Sequence, residues 1–385
     1  MLLSWLVGFA VAAEPDAEKE REWFPFVLPF AGYTSTDGFG VGAGGAVYSR
    51  PIAWDEGYRW RVSGQLWTTL GFAYQSHSVN VDWRGDRNRI VGTMGYRRWD
   101  NLLFAGEGGG DVLLHQDERE GDNFAVGPYA FFGLARQFPG SPIAPYLQTY
   151  LRSVHVEPHP GGLLDERVPD GVGGGIYGDV TLGAEVLDTD RWPVPNRGTT
   201  GELSVSAGIS STHAWGPVDR TRGAVANVHG EITRWQPLIG ERLVLASHAL
   251  FDHSVGPRPF YELEVMGGRW RDELGNDQPL SGYGRTRTRG DGVVTAMIEL
   301  RPLVFRTNHK FWDIGMYGSF YAEEGFLFDG WDPGPHLPSL GVGTTLLWQK
   351  ALQMRPFIAW GWRADEPGGA RHPVPQFGVS FQDPL

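Results

Sequence analysis

Cysteine is missing from all 385 residues. That absence excludes disulfide scaffolds, cysteine-ligated zinc and thiol catalysis together. Long apolar runs are missing too: past the first thirteen residues nothing approaches the roughly 18 apolar residues that a membrane-crossing helix needs. Basic charge is in short supply, with 33 Lys and Arg against 45 Asp and Glu, a formal net charge of −12. A nucleic-acid partner needs a basic footprint and is excluded. Neither G-x-S-x-G nor H-E-x-x-H occurs, and the eleven His are scattered, so no catalytic, metal or cofactor site is expected. No segment longer than ten residues has a persuasive helical face.

The chain is rich in glycine (55) and in aromatics (16 Trp, 13 Tyr, 21 Phe), yet its mean hydropathy is only −0.28. Aromatics without overall hydrophobicity suit a sheet with one lipid-facing and one polar side. Residues 1–13 form an apolar stretch that closes on Ala-Val-Ala-Ala, the pattern of a cleaved signal peptide. Its only positive charge is the terminal amine, so a short membrane anchor is the alternative. Residues 14–25, acidic from Glu14 to Glu22, read as a short periplasmic segment, and 26–385 as one β-domain without an internal linker.

The dominant periodicity is two. From Tyr58 to Tyr74 the even positions carry Tyr, Trp, Val, Leu and Phe, while the odd ones include Arg59, Arg61, Ser63 and Gln65. Such runs predict sixteen strands, near 27–35, 39–49, 58–70, 71–84, 88–98, 123–138, 143–157, 174–188, 199–213, 223–236, 241–254, 292–303, 312–323, 338–349, 354–363 and 374–382. The long connections, 99–122, 158–173, 214–222, 255–291, 324–337 and 364–373, follow odd-numbered strands, and those after even-numbered strands are shorter. Alternating short turns and long loops, with an even strand count, describe an all-β, 16-stranded antiparallel transmembrane β-barrel with both termini periplasmic. Closure also leaves no unpaired edge in lipid.

Two tempting motifs are set aside. Gly40-Val-Gly42-Ala-Gly44-Gly45 matches G-x-G-x-x-G, but Ala46-Val47-Tyr48 continues a strand where a dinucleotide site needs a helix. His248 and His253 lie five apart, so on a strand they point to opposite faces and cannot share a metal.

Asp188-Thr-Asp-Arg-Trp-Pro-Val-Pro-Asn-Arg197-Gly198 is similar to the periplasmic turn D-T-R-D-x-P-x-P-x-R-G of the BamA/TamA superfamily of outer-membrane barrels (bacterial surface antigen type). Met266-Gly-Gly268 with Leu280-Ser281-Gly282-Tyr283, Arg285, Arg287, Arg289 and Asp291, followed by Glu299-Leu300-Arg301, resembles its lid loop and the strand after it. Pro29 to Tyr33 and Gly38 to Gly42 look like its opening hairpin, and Gln376 to Phe381 resembles the terminal strand read by assembly machinery, although Gln-Asp-Pro-Leu follows.

The resemblance implies a lid loop inserted in the lumen, where the family's Arg pairs with an acidic residue. That Arg is Ser281 here, and Glu323 in Phe320-Tyr-Ala-Glu-Glu-Gly stands where the family has Asp, with Tyr317, Ser319 and Tyr321 on the same inward face. Arg287 or Arg289 is expected to replace the missing charge; the alternative is that Arg285, Arg287 and Arg289 are all solvated on an external loop. Only about a dozen residues separate Glu14 from the first strand, so the chain reads as a short, barrel-only member without POTRA modules.

The expected function is a non-enzymatic protein of the bacterial outer membrane that assists insertion or translocation of proteins or lipids, by thinning or opening the barrel wall at its first and last strands. Its expected partners are outer-membrane lipid and a POTRA-bearing or periplasmic protein. Two alternatives stand: a passive pore or structural barrel, and a lipid-modifying enzyme. The enzyme would need a Ser or carboxylate within hydrogen-bonding reach of a His at the membrane rim.

Overall fold

The computed structural model describes residues 23–34, 38–49, 59–72, 74–104, 120–162, 164–165, 171–190, 194–212, 222–262, 264–266, 270–271, 277–278, 280–282, 288–309, 312–334, 336–348, 352–362 and 376–382. The long strands are β1 (Trp23–Thr34), β2 (Gly38–Ser49), β3 (Trp60–Thr69), β4 (Tyr74–Arg84), β5 (Asn88–Phe104), β6 (Glu120–Arg136), β7 (Ile143–Glu157), β8 (Gly175–Thr189), β9 (Gly198–Thr212), β10 (Arg222–Ile239) and β11 (Leu243–Val255). A single 3-10 turn, Phe260–Glu262, then leads into four short pieces: β12 (Glu264–Met266), β13 (Trp270–Arg271), β14 (Asp277–Gln278) and β15 (Thr288–Gly290). Long strands resume with β16 (Gly292–His309) and β17 (Trp312–Asp329), then the two-residue β18 (Asp332–Pro333), β19 (Ser339–Trp348), β20 (Leu352–Gly361) and β21 (Gln376–Gln382). All but β12 to β15 belong to one seventeen-stranded sheet, which counts β18.

The chain divides into two compact units. The first holds β1 to β7, β8 as far as Leu182, β9 from Ser206 and β10 as far as Val225; the second holds the rest of β8, β9 and β10, and β11 to β21. In the first unit, β1 to β7 pair antiparallel in chain order, each with the next, from Trp23↔Ser49 to Phe124↔Glu157. The second unit continues the same way through β10, β11, β16, β17, β19, β20 and β21. Between β11 and β16 in the chain, the short strands form ladders of their own, β12 with β15 and β13 with β14.

Several boundaries move. β1 begins at Trp23, inside the stretch read as a periplasmic segment, because Trp23 already pairs with Ser49. β5 and β17 run on to Phe104 and Asp329, where outward continuation of a hairpin outlasts the alternation of apolar residues. The connection 50–59 follows an even-numbered strand and is as long as several of those expected only after odd-numbered ones. The glycine run 40–45 lies wholly within β2 and pairs with β3, as its strand-like sequel required.

Side-chain polarity is inverted relative to a water-soluble sheet. In β17, Tyr317, Ser319, Tyr321 and Glu323 are buried and the intervening Phe320 is 56% exposed. In β9, Ser204, Ser210 and Thr212 are buried while Leu203, Val205 and Ile209 are exposed at 65%, 53% and 67%. β4 repeats this with Ser76, Ser78 and Asp82 against Val79, Val81 and Trp83. An aqueous solvent would penalise such an arrangement on both faces, whereas lipid rewards it. Among the described residues, one apolar cluster of the second unit joins Leu250, Leu280, Val293, Leu327 and Leu337.

Candidate functional site

Glu323 sits on the buried face of β17 with 5% of its surface exposed, so its carboxylate must be met by hydrogen-bond donors. The lid-loop segment supplies them. The Ser281 backbone N–H donates to Oε2 at 2.7 Å and its hydroxyl to Oε1 at 3.0 Å. Ser339, the first residue of β19, donates its hydroxyl to Oε2 at 3.2 Å and accepts the Gly282 N–H at 3.1 Å. Two consecutive backbone N–H groups of the lid segment are thereby fixed to two adjacent strands. Hydrogen bonds to a charged acceptor contribute roughly 1.5–3 kcal/mol each.

The residue before the serine shows what holds the segment there. Leu280 has φ +76°, a left-handed conformation that a branched apolar residue adopts only under constraint. Its side chain is fully buried against Leu250, Val293, Leu327 and Leu337, and this packing offsets the backbone cost. Gly282 is needed for a different reason: a Cβ there would overlap the backbone of Trp360 and Gly361 and the Ser339 hydroxyl. Asp291 anchors the segment's exit. Its N–H donates to the Phe328 carbonyl and its own carbonyl accepts the Ser254 N–H, both at 2.8 Å, and its Oδ2 accepts the Gly330 N–H at 2.7 Å.

The structure thus brings Ser281, Gly282 and Glu323 together, with Asp291 at the segment's base. Tyr283 and Arg287 lie outside the described residues. Arg289 pairs through its backbone with Val265, and its side chain lies outside what is described. Sequence reasoning passed over Ser281 as a donor, treating it as the place of a missing arginine, and passed over Ser339 altogether. A serine immediately before a glycine that must hug a strand was the available signal.

A second link joins two other motif segments. Arg301 of β16, 3% exposed, donates to the Pro195 carbonyl at 3.2 Å. Pro195 lies in the β8–β9 turn, whose shape is set by Asp190: its Oδ1 accepts the N–H groups of Asn196 at 3.0 Å and Arg197 at 3.1 Å. Two residues before Arg301 on the same face, Glu299 accepts the Ser319 hydroxyl. The turn motif and β16 therefore meet, and Val194 and Asn196 of the turn are buried.

The two β11 histidines part as their spacing requires. His248 approaches Glu231 at 3.7 Å on the buried polar face, whereas His253 lies against the Trp331 ring on the other, centroids 3.8 Å apart. Among the described residues no group of three or more His, Cys, Asp or Glu could hold a metal ion.

No protein-family model matches the sequence, and no curated protein matches it. Solved structures do match in fold. BamA from Haemophilus ducreyi lacking POTRA domains 1–3 superposes with a TM-score of 0.55 over 94% of this chain and 70% of that one, at 14% identity. CdiB from Escherichia coli gives 0.55 over 95% and 62%, also at 14%. CdiB from Acinetobacter baumannii gives 0.53 over 93% and 60%, at 11%. The chain thus spans about three fifths of the length of the CdiB structures. A sheet of inverted polarity and these superpositions agree: the chain has the fold of the BamA and CdiB structures.

Proposed function

We propose that the protein is an exported outer-membrane barrel that assists insertion or translocation of proteins or lipids, with its sixteen long strands closed and its lid loop seated in the lumen. The observation that carries this reading is the seat of the lid segment: Ser281 and Gly282 are hydrogen-bonded to Glu323 and Ser339 on adjacent strands. A lid fixed to one part of the wall leaves another part free to move. In this reading the free part is the seam of first and last strands. β1 carries Pro25 and Pro29, which withhold two N–H donors from the same edge, and β21 is only seven residues long. Arg287 or Arg289 adds a cation near Glu323, and a periplasmic or POTRA-bearing protein delivers the client.

Deletion of residues 270–289 tests it. The expected result is a folded barrel whose loss of the lid lowers the yield of other outer-membrane proteins in cells. A large, stable ohmic conductance with unchanged outer-membrane protein levels would instead establish a passive pore plugged by its lid.

A further inference from the structure

Three polar side chains on the buried face of β9, β10 and β11 stand in one row. His229 of β10 is paired with Asp252 of β11 in the strand register, and its Nδ1 lies 2.9 Å from Asp252 Oδ2. Asp252 is held on its other side, where Oδ1 accepts the Asn227 amide at 2.5 Å. Asn227 also donates to Ser254 Oγ at 2.8 Å, and Ser254 accepts from Arg258 at 2.5 Å. The carboxylate is thus oriented by a chain of donors and has its remaining lone pairs aimed at the imidazole.

The register of β9 on β10 follows from three contacts. Arg234 Nη1 donates to Thr199 Oγ1 at 3.4 Å. The Cβ position of Gly201 lies 3.7 Å from Ile232 Cα, and that of Gly230 lies 3.7 Å from Leu203 Cδ1. All three place residue n of β9 opposite residue 433 minus n of β10, which sets Ser204 opposite His229. Ser204 is buried on the same face as Asp252 and His229. Directly opposed residues on one face have Cβ atoms about 4.5–5.5 Å apart, within reach of a hydroxyl-to-imidazole hydrogen bond after a rotamer change.

From this row we infer that the protein carries a second activity: Ser204, His229 and Asp252 form an acyl-ester hydrolase site on the polar face of the sheet. Asp252 is the positioning residue. Its bond fixes the imidazole with the proton on Nδ1, so that Nε2, on the ring edge facing away from β11, is the free base. His229 keeps a fifth of its side chain exposed. Ser204 Oγ adds to the ester carbonyl carbon as its proton passes to Nε2. The C–O bond to the alcohol then breaks, and the departing oxygen takes that proton. Water, giving a proton to Nε2, attacks the acyl-serine; the acid leaves and the hydroxyl is restored. The balance is ester plus water to acid plus alcohol, with no further reactant. The order of the three residues along the chain is Ser, His, Asp, and geometry rather than order defines such a site.

The test is covalent labelling of the full chain, folded in detergent micelles, with a fluorophosphonate probe and peptide mass spectrometry. One adduct on Ser204 is expected, absent in Ser204→Ala, formed at least a hundredfold more slowly in His229→Gln, and unchanged in Ser210→Ala, a buried serine of the same strand and face. Asp252→Asn is expected to slow labelling at least tenfold near neutral pH and to move its pH profile, which a purely structural role would not do. Heat-modifiable gel mobility shows that each variant is folded. Turnover of p-nitrophenyl butyrate or of phosphatidylglycerol vesicles distinguishes a water-soluble ester from a lipid. No adduct on Ser204, or labelling unaffected by His229→Gln, overturns the inference.

Discussion

Ser281 engages both oxygens of Glu323, its N–H at 2.7 Å from Oε2 and its hydroxyl at 3.0 Å from Oε1. A residue one-third the length of arginine can do this only because the backbone itself comes down to the strand. The salt bridge that the resemblance implies holds a lid from a distance; here the main chain is brought into contact, and Gly282 is the condition for that approach.

Glu323→Gln is the direct test of this seat. The amide nitrogen cannot accept, so one of the donors from Ser281 or Ser339 loses its partner inside a buried site. A loss of about 1.5–3 kcal/mol in unfolding free energy is expected in micelles. Trypsin should also cut faster at Arg285 and Arg287. Unchanged urea midpoint and unchanged cleavage would mean that the seat does not hold the segment.

Gly282→Val adds volume where the Trp360 and Gly361 backbone already lies. Overpacking of this kind costs typically 1–3 kcal/mol, and here the relief available is displacement of the lid. We expect the same trypsin sensitivity as in Glu323→Gln, and no additive effect in the double variant, because both remove one seat.

Arg301→Met removes the donor to the Pro195 carbonyl in a buried site. About 1–3 kcal/mol of destabilisation is expected, the cost of leaving a buried acceptor without its partner. Urea titration in micelles reads it. A smaller loss in a Glu299→Gln, Arg301→Met double variant than in Arg301→Met alone would show that the two share one network.

Val205→Arg places a charge on the apolar, exposed face of β9, whereas Gln148→Arg places one on the buried polar face of β7. On the lipid side a mid-membrane arginine costs about 2–4 kcal/mol, and on the polar side little. Folding into lipid vesicles should separate the two variants clearly. Equal effects would contradict the assignment of faces.

The strands were legible because period-two alternation is strong in this chain, and the inversion of polarity is local to each strand. Tyr317, Ser319, Tyr321 and Glu323 could be assigned to one face from spacing alone, and the structure buries all four. The glycine run of β2 and the parting of His248 from His253 follow from the same periodicity. Strand ends were less legible: Trp23 joins β1 and Asp329 ends β17 through pairing with Ser49 and Asp332, partners that alternation does not name.

Contacts over long sequence separation had no local signal. Ser281 lies 42 residues from Glu323 and Gly282 lies 57 from Ser339. Nothing in the order of residues says that two serine hydroxyls and one peptide N–H will be donors to Glu323. The meeting of Arg301 with Pro195 spans 106 residues and depends on the register of every strand between them. The row Ser204, His229, Asp252 is of the same kind, since a slip of one residue in either pairing would turn its members to opposite faces.

Alternation, turn chemistry and the absence of cysteine and of long apolar runs were enough by themselves to determine an all-β membrane protein with an apolar and a polar face. Those properties are read over a few residues, through side-chain direction and backbone propensity. Which polar groups meet on the buried face was decided only by the tertiary structure, because a buried carboxylate takes whatever donors the register and the lid bring within about 3 Å.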